Sequence, residues 1–283
     1  MRFRRAAAIM GVLAMAAPLI SACGSVRESV DAYLPDCSIT VGEDSVYLDR
    51  EQAANAATIT AVGLRRGIPE YGLVVALATA WQESKLHNID YGDRDSLGLF
   101  QQRPSQGWGT EEEVMDPRYA ATKFFEHLER IPYWESMRVT DAAQAVQLSA
   151  YPEEYEQWAA DSQVMVTAYI GDADGALTCR HNGATATDPS VGTLVSALLD
   201  DWGDDTIYTE GDTDLLVPVN TPRDGWQYAS WLVAHSHAHG VTGIEYNGTA
   251  WSSADGEWTA TESGEGDPHA VIAIIGTDTQ TSD

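Results

Sequence analysis

A glutamate stands where an apolar stripe runs out. Leu73, Ala76, Leu77, Ala80 and Glu83 recur at i, i+3, i+4, i+7 and i+10, a spacing that puts them on one face of an α-helix, the face a globular helix buries. Burying a charge is costly. Desolvation and the negative end of a helix dipole both oppose ionisation of the carboxyl. A carboxyl kept protonated near neutral pH is what general-acid chemistry needs. The plain alternative is that Glu83 points outward and pairs with Lys85 or Arg94. Beyond it, Tyr91-Gly92-Asp93-Arg94-Asp95-Ser96-Leu97-Gly98-Leu99-Phe100-Gln101-Gln102 lies in a Gly-rich loop spanning 86–115. A loop of that length is usually functional or disordered, and Phe100 and Trp108 within it predict that it is packed.

Glu83-Ser84 at a helix end, followed by a Gly-rich loop and Gly98-Leu99-Phe100-Gln101, resembles the signature of the lysozyme-like superfamily, with bacterial lytic transglycosylases and goose-type lysozymes the nearest in pattern. Tyr91-Gly92-Asp93-Arg94 is similar to the goose-type Gly-Asp-Arg segment. The resemblance covers roughly residues 50–170. It implies cleavage of the glycan strands of peptidoglycan, with Glu83 as acid and Asp93 as the water-holding carboxylate, Asp95 being the fallback. It places Ser84 beside the acid and Gln101 and Gln102 at the sugar cleft. If hydrolysis is inverting, the two carboxyls stand roughly 6.5–9.5 Å apart; otherwise the sugar's own 6-hydroxyl attacks and one Glu suffices. Trp108, Tyr151 and Trp158 are candidates to stack on sugar rings. The Ala-Tyr-Asn segment of transglycosylases corresponds here to Ala150-Tyr151-Pro152, so the Asn is lost; Gln144, Gln147 and Ser149 are the polar residues nearby. That departure leaves room for a wall-binding protein that does not cut.

The 283 residues carry 43 acidic and 16 basic side chains, a formal charge of −27. Such a chain repels nucleic acid, which is excluded as a partner. Arg2, Arg4 and Arg5 precede an apolar run from Ala6 to Ile20, read as a signal segment over 1–22. Leu19-Ile20-Ser21-Ala22-Cys23 resembles a bacterial lipobox. It implies export and a lipid on Cys23 that anchors the chain to the outer face of the cytoplasmic membrane. In that oxidising space the remaining Cys37 and Cys179 are expected to pair, two free thiols being the alternative.

The elements that would position these residues form an α+β chain. Residues 23–48 read as a tether with a short Ile39–Val41 run. Asp49 and Gln52 form a capping-box pattern, and the helix they open ends near Gly67. Further helices are expected from Asp116-Pro117 to about Arg130, from Thr140 through Leu148, and from Pro152 through Tyr155, Trp158, Met165 and Tyr169. A mainly α-helical lysozyme-like domain thus spans 49–179. A Gly/Ala/Thr/Asp linker covers 180–192. A small α/β domain over 193–283 has a short helix near Thr193–Leu199, a strand at Leu215–Val219, a helix at Trp226–His239, a hairpin around Asn247-Gly248 and a final strand at Val271–Ile275. His235 and His239 share a helix face at metal-ligand spacing, with His237 between them, but no Cys or carboxylate completes a set. A metal-binding role is a further alternative; no metal or cofactor is expected. Trp226 to Ile275 faintly resembles C-terminal domains similar to zinc D-Ala-D-Ala peptidases that have lost their metal. Asp267-Pro268-His269 carries that likeness and Ala270-Val271 breaks it, which implies a non-catalytic wall-peptide binder.

Overall fold

Residues 36–147, 152–181, 189–261 and 266–276 are described by a computed structural model. Cys23, Tyr151, Ser149 and the tail from Thr277 lie outside them. The described residues open on a hairpin, β1 (Cys37–Val41) and β2 (Asp44–Leu48), which β3 (Leu177–Cys179) completes as an antiparallel sheet of order β2-β1-β3. The tether expected over 23–48 is therefore corrected from Cys37 onward. Cys37, Ile39, Val46 and Leu48 alternate inward, and Gly42 turns the chain at φ +63°.

Asp49 caps α1 (Arg50–Arg65) with a complete capping box: its side chain accepts from Gln52 N, and the Gln52 side chain accepts from Asp49 N. Its free oxygen lies 2.8 Å from His87 Nε2. Next comes α2 (Glu70–Ser84), buried without interruption from Gly72 to Ala80. A helix apolar on every side belongs in the middle of a bundle. Here α1, α4 (Pro117–Leu128), α5 (Val139–Gln147) and α6 (Ala159–Tyr169) all pack on it, together with the 3₁₀ segment Pro152–Trp158. α1 crosses close enough that a Cβ on Gly63 would lie 2.3 Å from Leu73 Cδ2 and 2.9 Å from Phe125 Cζ, so any side chain there would force these buried neighbours to shift. The capped turn α3 (Glu111–Val114) interrupts the long loop.

Beyond the 182–188 stretch, α7 (Val191–Trp202) extends past both ends of the expected Thr193–Leu199, and α8 (Pro222–His239) starts four residues earlier than expected and ends at His239 as expected. β4 (Thr209–Glu210), β5 (Asp214–Pro218), β6 (Val241–Tyr246), β7 (Thr249–Ser252), β8 (Trp258–Ala260) and β9 (Ala270–Ile275) form an antiparallel sheet of order β4-β5-β9-β6-β7-β8. Asn247 and Gly248 turn β6 into β7 with φ +49° and +78°, the two positive values of a type I′ turn. α8 packs on this sheet and also against α1 and α6. Its Ser230 hydroxyl bonds Ala168 O, and Arg223 pairs with Asp172 at 2.8 Å. The chain is thus mixed α+β with antiparallel sheets.

Cys37 and Cys179 are register partners on β1 and β3 and are joined as a disulfide across 142 residues of sequence. Closing so long a loop restricts the unfolded chain strongly. Replacing both cysteines by serine is expected to lower the unfolding free energy by about 2–5 kcal/mol in denaturant titrations, the upper end applying if unfolded-state entropy dominates. A change under about 1 kcal/mol would refute it.

Candidate active site

Glu83 sits in the last turn of α2, which stops because Lys85 and Leu86 take left-handed φ values of 58° and 61°. The carboxyl does not pair with Lys85 or Arg94. Tyr155, fully buried on the 3₁₀ segment, donates to Glu83 Oε1 at 2.5 Å, and the Gln147 amide at the end of α5 hydrogen-bonds the same carboxyl. Burial pushes the Glu83 carboxyl above its ordinary range; the hydrogen bonds from Tyr155 and Gln147 oppose that shift without cancelling it.

The loop is held to the acid by two of its own backbone carbonyls. Ser84 Oγ approaches Ala80 O at 3.1 Å and donates to Leu99 O at 2.8 Å, while Gln147 Nε2 donates to Phe100 O at 2.7 Å. Phe100 is buried and stacks on Phe124 with centroids 4.7 Å apart. Gly98 has φ +76°, and a Cβ there would lie 2.3 Å from Val114 O, so this turn requires glycine. Gln101, at φ +48°, gives its amide to Tyr91 O and Gly98 O. Gln102 is buried and donates to Ala120 O at 2.9 Å. Ser84, Gln101 and Gln102 thus spend these hydrogen bonds on backbone carbonyls, and Gln147 both ties the loop at Phe100 O and lowers the Glu83 pKa.

The two aspartates differ. Asp95 accepts from Arg103 Nε and Ser105 N, both at 2.8 Å, and the Ser105 and Arg103 hydrogen bonds hold its carboxyl far below the usual range. Asp93 has a side chain 90% exposed and 3.8 Å from Arg94 Nε. Beside the acid, Trp158 packs against Trp81 at 5.5 Å, donates Nε1 to Gln82 Oε1 at 2.7 Å and carries Lys85 Nζ 4.1 Å above its ring. Trp108 is covered by His127, with centroids 4.1 Å apart. Tyr91 is well exposed on the loop.

Tyr155 is the Glu83 partner that sequence reasoning missed: the helix expected to open at Pro152 is a 3₁₀ segment, and the target of the Tyr155 hydroxyl was not legible. The available signal was that a buried tyrosine hydroxyl must find a partner.

The histidines of α8 do not converge. His235 Nδ1 lies 2.9 Å from Trp231 O one turn back and Nε2 lies 3.3 Å from Thr58 Oγ1, so both ring nitrogens face existing partners. His237 lies 3.5 Å from Arg50. Among the described residues no group of three or more His, Cys, Asp or Glu could hold a metal ion. Burial lowers the pKa of His235 and His237 and takes His239 down to about 4. A histidine whose folded pKa is depressed binds its proton first in the unfolded chain. The histidines' contribution to stability is therefore expected to be full above about pH 6.5 and to fall as pH drops toward 4, outweighing the smaller opposite effect of the single raised Glu83 carboxyl. Urea midpoints that stay flat between pH 7 and 4.5 would contradict this.

No protein-family model matches the chain, and a search of curated proteins returns no match.

Proposed function

We propose that this chain is a peptidoglycan-directed glycosidase that cleaves the bond between amino sugars with Glu83 as general acid, by the lytic transglycosylase route. The observation that carries the reading is the state of Glu83: a half-buried carboxyl with raised pKa, oriented by Tyr155 and Gln147, and making no ion pair among the described residues. Glu83 gives its proton to the leaving glycosidic oxygen. Asp95 is committed to Arg103 and Ser105, and Asp93 is turned to solvent, so neither is held as a water-activating partner. That favours attack on the anomeric carbon by the substrate's own 6-hydroxyl, whose proton passes back to the Glu83 carboxylate. The resemblance of the Glu83-Ser84 and Gly98–Gln101 segments to lysozyme-like enzymes supports the same reading.

The test is mass spectrometry of the products released from purified peptidoglycan. Anhydro muropeptides are expected. Reducing-end products would replace this route with hydrolysis. No release, with protein pelleting alongside sacculi, would instead favour a binding lipoprotein, the reading that Pro152 in place of the family Asn keeps open. Export and anchoring through Cys23 complete the proposal. Labelled fatty acid should enter the wild-type chain and not Cys23→Ala; equal labelling of the two would refute the anchor.

Tyr155 supplies a pH test. Its hydrogen bond lowers the Glu83 pKa, so Tyr155→Phe should raise it. A general acid works only while protonated, so activity falls as pH rises through that pKa. The alkaline limb of the kcat/KM profile is expected to move to higher pH in Tyr155→Phe. An unmoved limb with only a lowered rate would assign Tyr155 a packing role alone.

A further inference from the structure

A cavity of about 350 Å³ lies away from Glu83, between the C-terminal ends of α1 and α7, the loop after α7, and the start of α8. That volume is within the range of small-molecule sites. Arg65 stands on one wall; Asp205 and Asp224 stand on others, with Trp202, Tyr228 and Asn220. The Trp202 and Tyr228 rings pack together with centroids 4.5 Å apart. Gly203 lies between Arg65 and Asp205: a Cβ built on it would lie 3.1 Å from Arg65 Cδ and 3.1 Å from Asp205 Oδ1, and its φ of +105° would strain any other residue.

Cation and carboxylates thus share one concavity, yet among the described residues none of the three forms an ion pair. Arg65 donates one N–H to Asp200 O, which leaves most of its guanidinium fork unused. Asp224 accepts from Thr221 N with one oxygen as part of the α8 cap. Asp205 and Asp224 line the cavity together with Trp202 and Tyr228. The C-terminal end of α7 adds negative potential there.

We propose that this cavity binds a short zwitterionic peptide, its ammonium against Asp205, Asp224 and the Trp202–Tyr228 rings and its carboxylate against Arg65. Carboxylates and aromatic faces both attract an ammonium, and a guanidinium grips a carboxylate with two parallel N–H donors. A free zwitterion satisfies both ends at once. The site is independent of the Glu83 chemistry, so Glu83→Gln should bind the same ligand unchanged.

Calorimetry on the whole chain tests this with alanylalanine, its N-acetyl form and its C-terminal amide, using both stereochemical series. The free dipeptide of at least one series is expected to bind at least tenfold more tightly than either blocked form. Arg65→Gln should abolish the preference for the free carboxylate while leaving the amide's binding unchanged. Asp205→Asn should abolish the preference for the free amine. Circular dichroism and thermal melts matching wild type show that both variants are folded. No heat with either free dipeptide at millimolar concentration, or equal affinity for free and blocked forms, overturns the proposal; so does unaltered discrimination in both folded variants.

Discussion

Glu83→Gln is expected to abolish release of fragments from peptidoglycan while leaving the protein as stable as wild type, or more so. The substitution keeps the side chain's length and leaves an amide oxygen to accept from the Tyr155 hydroxyl. It removes the proton that the leaving oxygen needs. A positioned general acid contributes roughly 10²–10⁴ in rate, or about 3–5 kcal/mol of barrier. A buried carboxyl also costs the fold something, since burial is the largest cause of its raised pKa. Relief of that cost should appear as an unchanged or higher Tm. Loss of activity with retained stability is a combination that a purely structural glutamate does not give. Clearing within a few-fold of wild type would remove the enzymatic reading, and a collapse of Tm alongside activity would leave Glu83 as a structural residue.

The position of Glu83 was legible because one rule, an acid closing a buried stripe, reads directly from spacing. The same rule marks a second residue. Val191, Leu194, Val195, Leu198 and Asp201 follow the identical i, i+3, i+4, i+7, i+10 pattern on α7, and Asp201 is fully buried. Spacing places both acids and does not tell them apart; only the neighbours brought in by tertiary packing do. Asp201 meets a cation, Arg118 Nε at 2.6 Å from Oδ1, whereas Glu83 meets a tyrosine and an amide. A carboxyl met only by neutral donors in a partly dry place stays protonatable, which is the Glu83 case. The helix starts at Asp49 and Asp116 and the Asn247-Gly248 turn were equally readable, since each rests on contacts within a few residues. The β1–β2 hairpin was not, because its alternating residues acquire an inside only when α6, more than a hundred residues later, packs across them. Ser84 and Gln102 look like site residues in a motif, yet both turn to backbone carbonyls once the loop is docked.

Asp201→Ala carries the largest stability effect expected in the molecule. Oδ2 accepts from Thr58 Oγ1 on α1 and Trp231 Nε1 on α8, both at 2.8 Å, and His235 Nε2 lies 3.7 Å away. Oδ1 faces Arg118 on α4; the contact is an ion pair rather than an aligned hydrogen bond, because the N–H does not point along it. One carboxylate therefore satisfies groups from α1, α4 and α8, joining helices on either side of the 182–188 stretch. Truncating it leaves a buried hydroxyl and an indole N–H without their acceptor and Arg118 without its counter-charge. Breaking a buried pair from one side typically costs about 3–5 kcal/mol, against a total stability of about 5–15 kcal/mol for an ordinary domain. Asp201→Asn should cost less, since its amide oxygen still accepts while the charge on Arg118 goes unanswered. Asp200, adjacent and exposed, is the control: its side chain makes no ion pair among the described residues, and Asp200→Ala should stay within about 0.5 kcal/mol of wild type. Denaturant midpoints for the three variants decide the matter. If Asp201→Ala costs no more than Asp200→Ala, the carboxylate is not what ties these helices together, and packing of Trp231 and the α1–α8 contact must hold them without it.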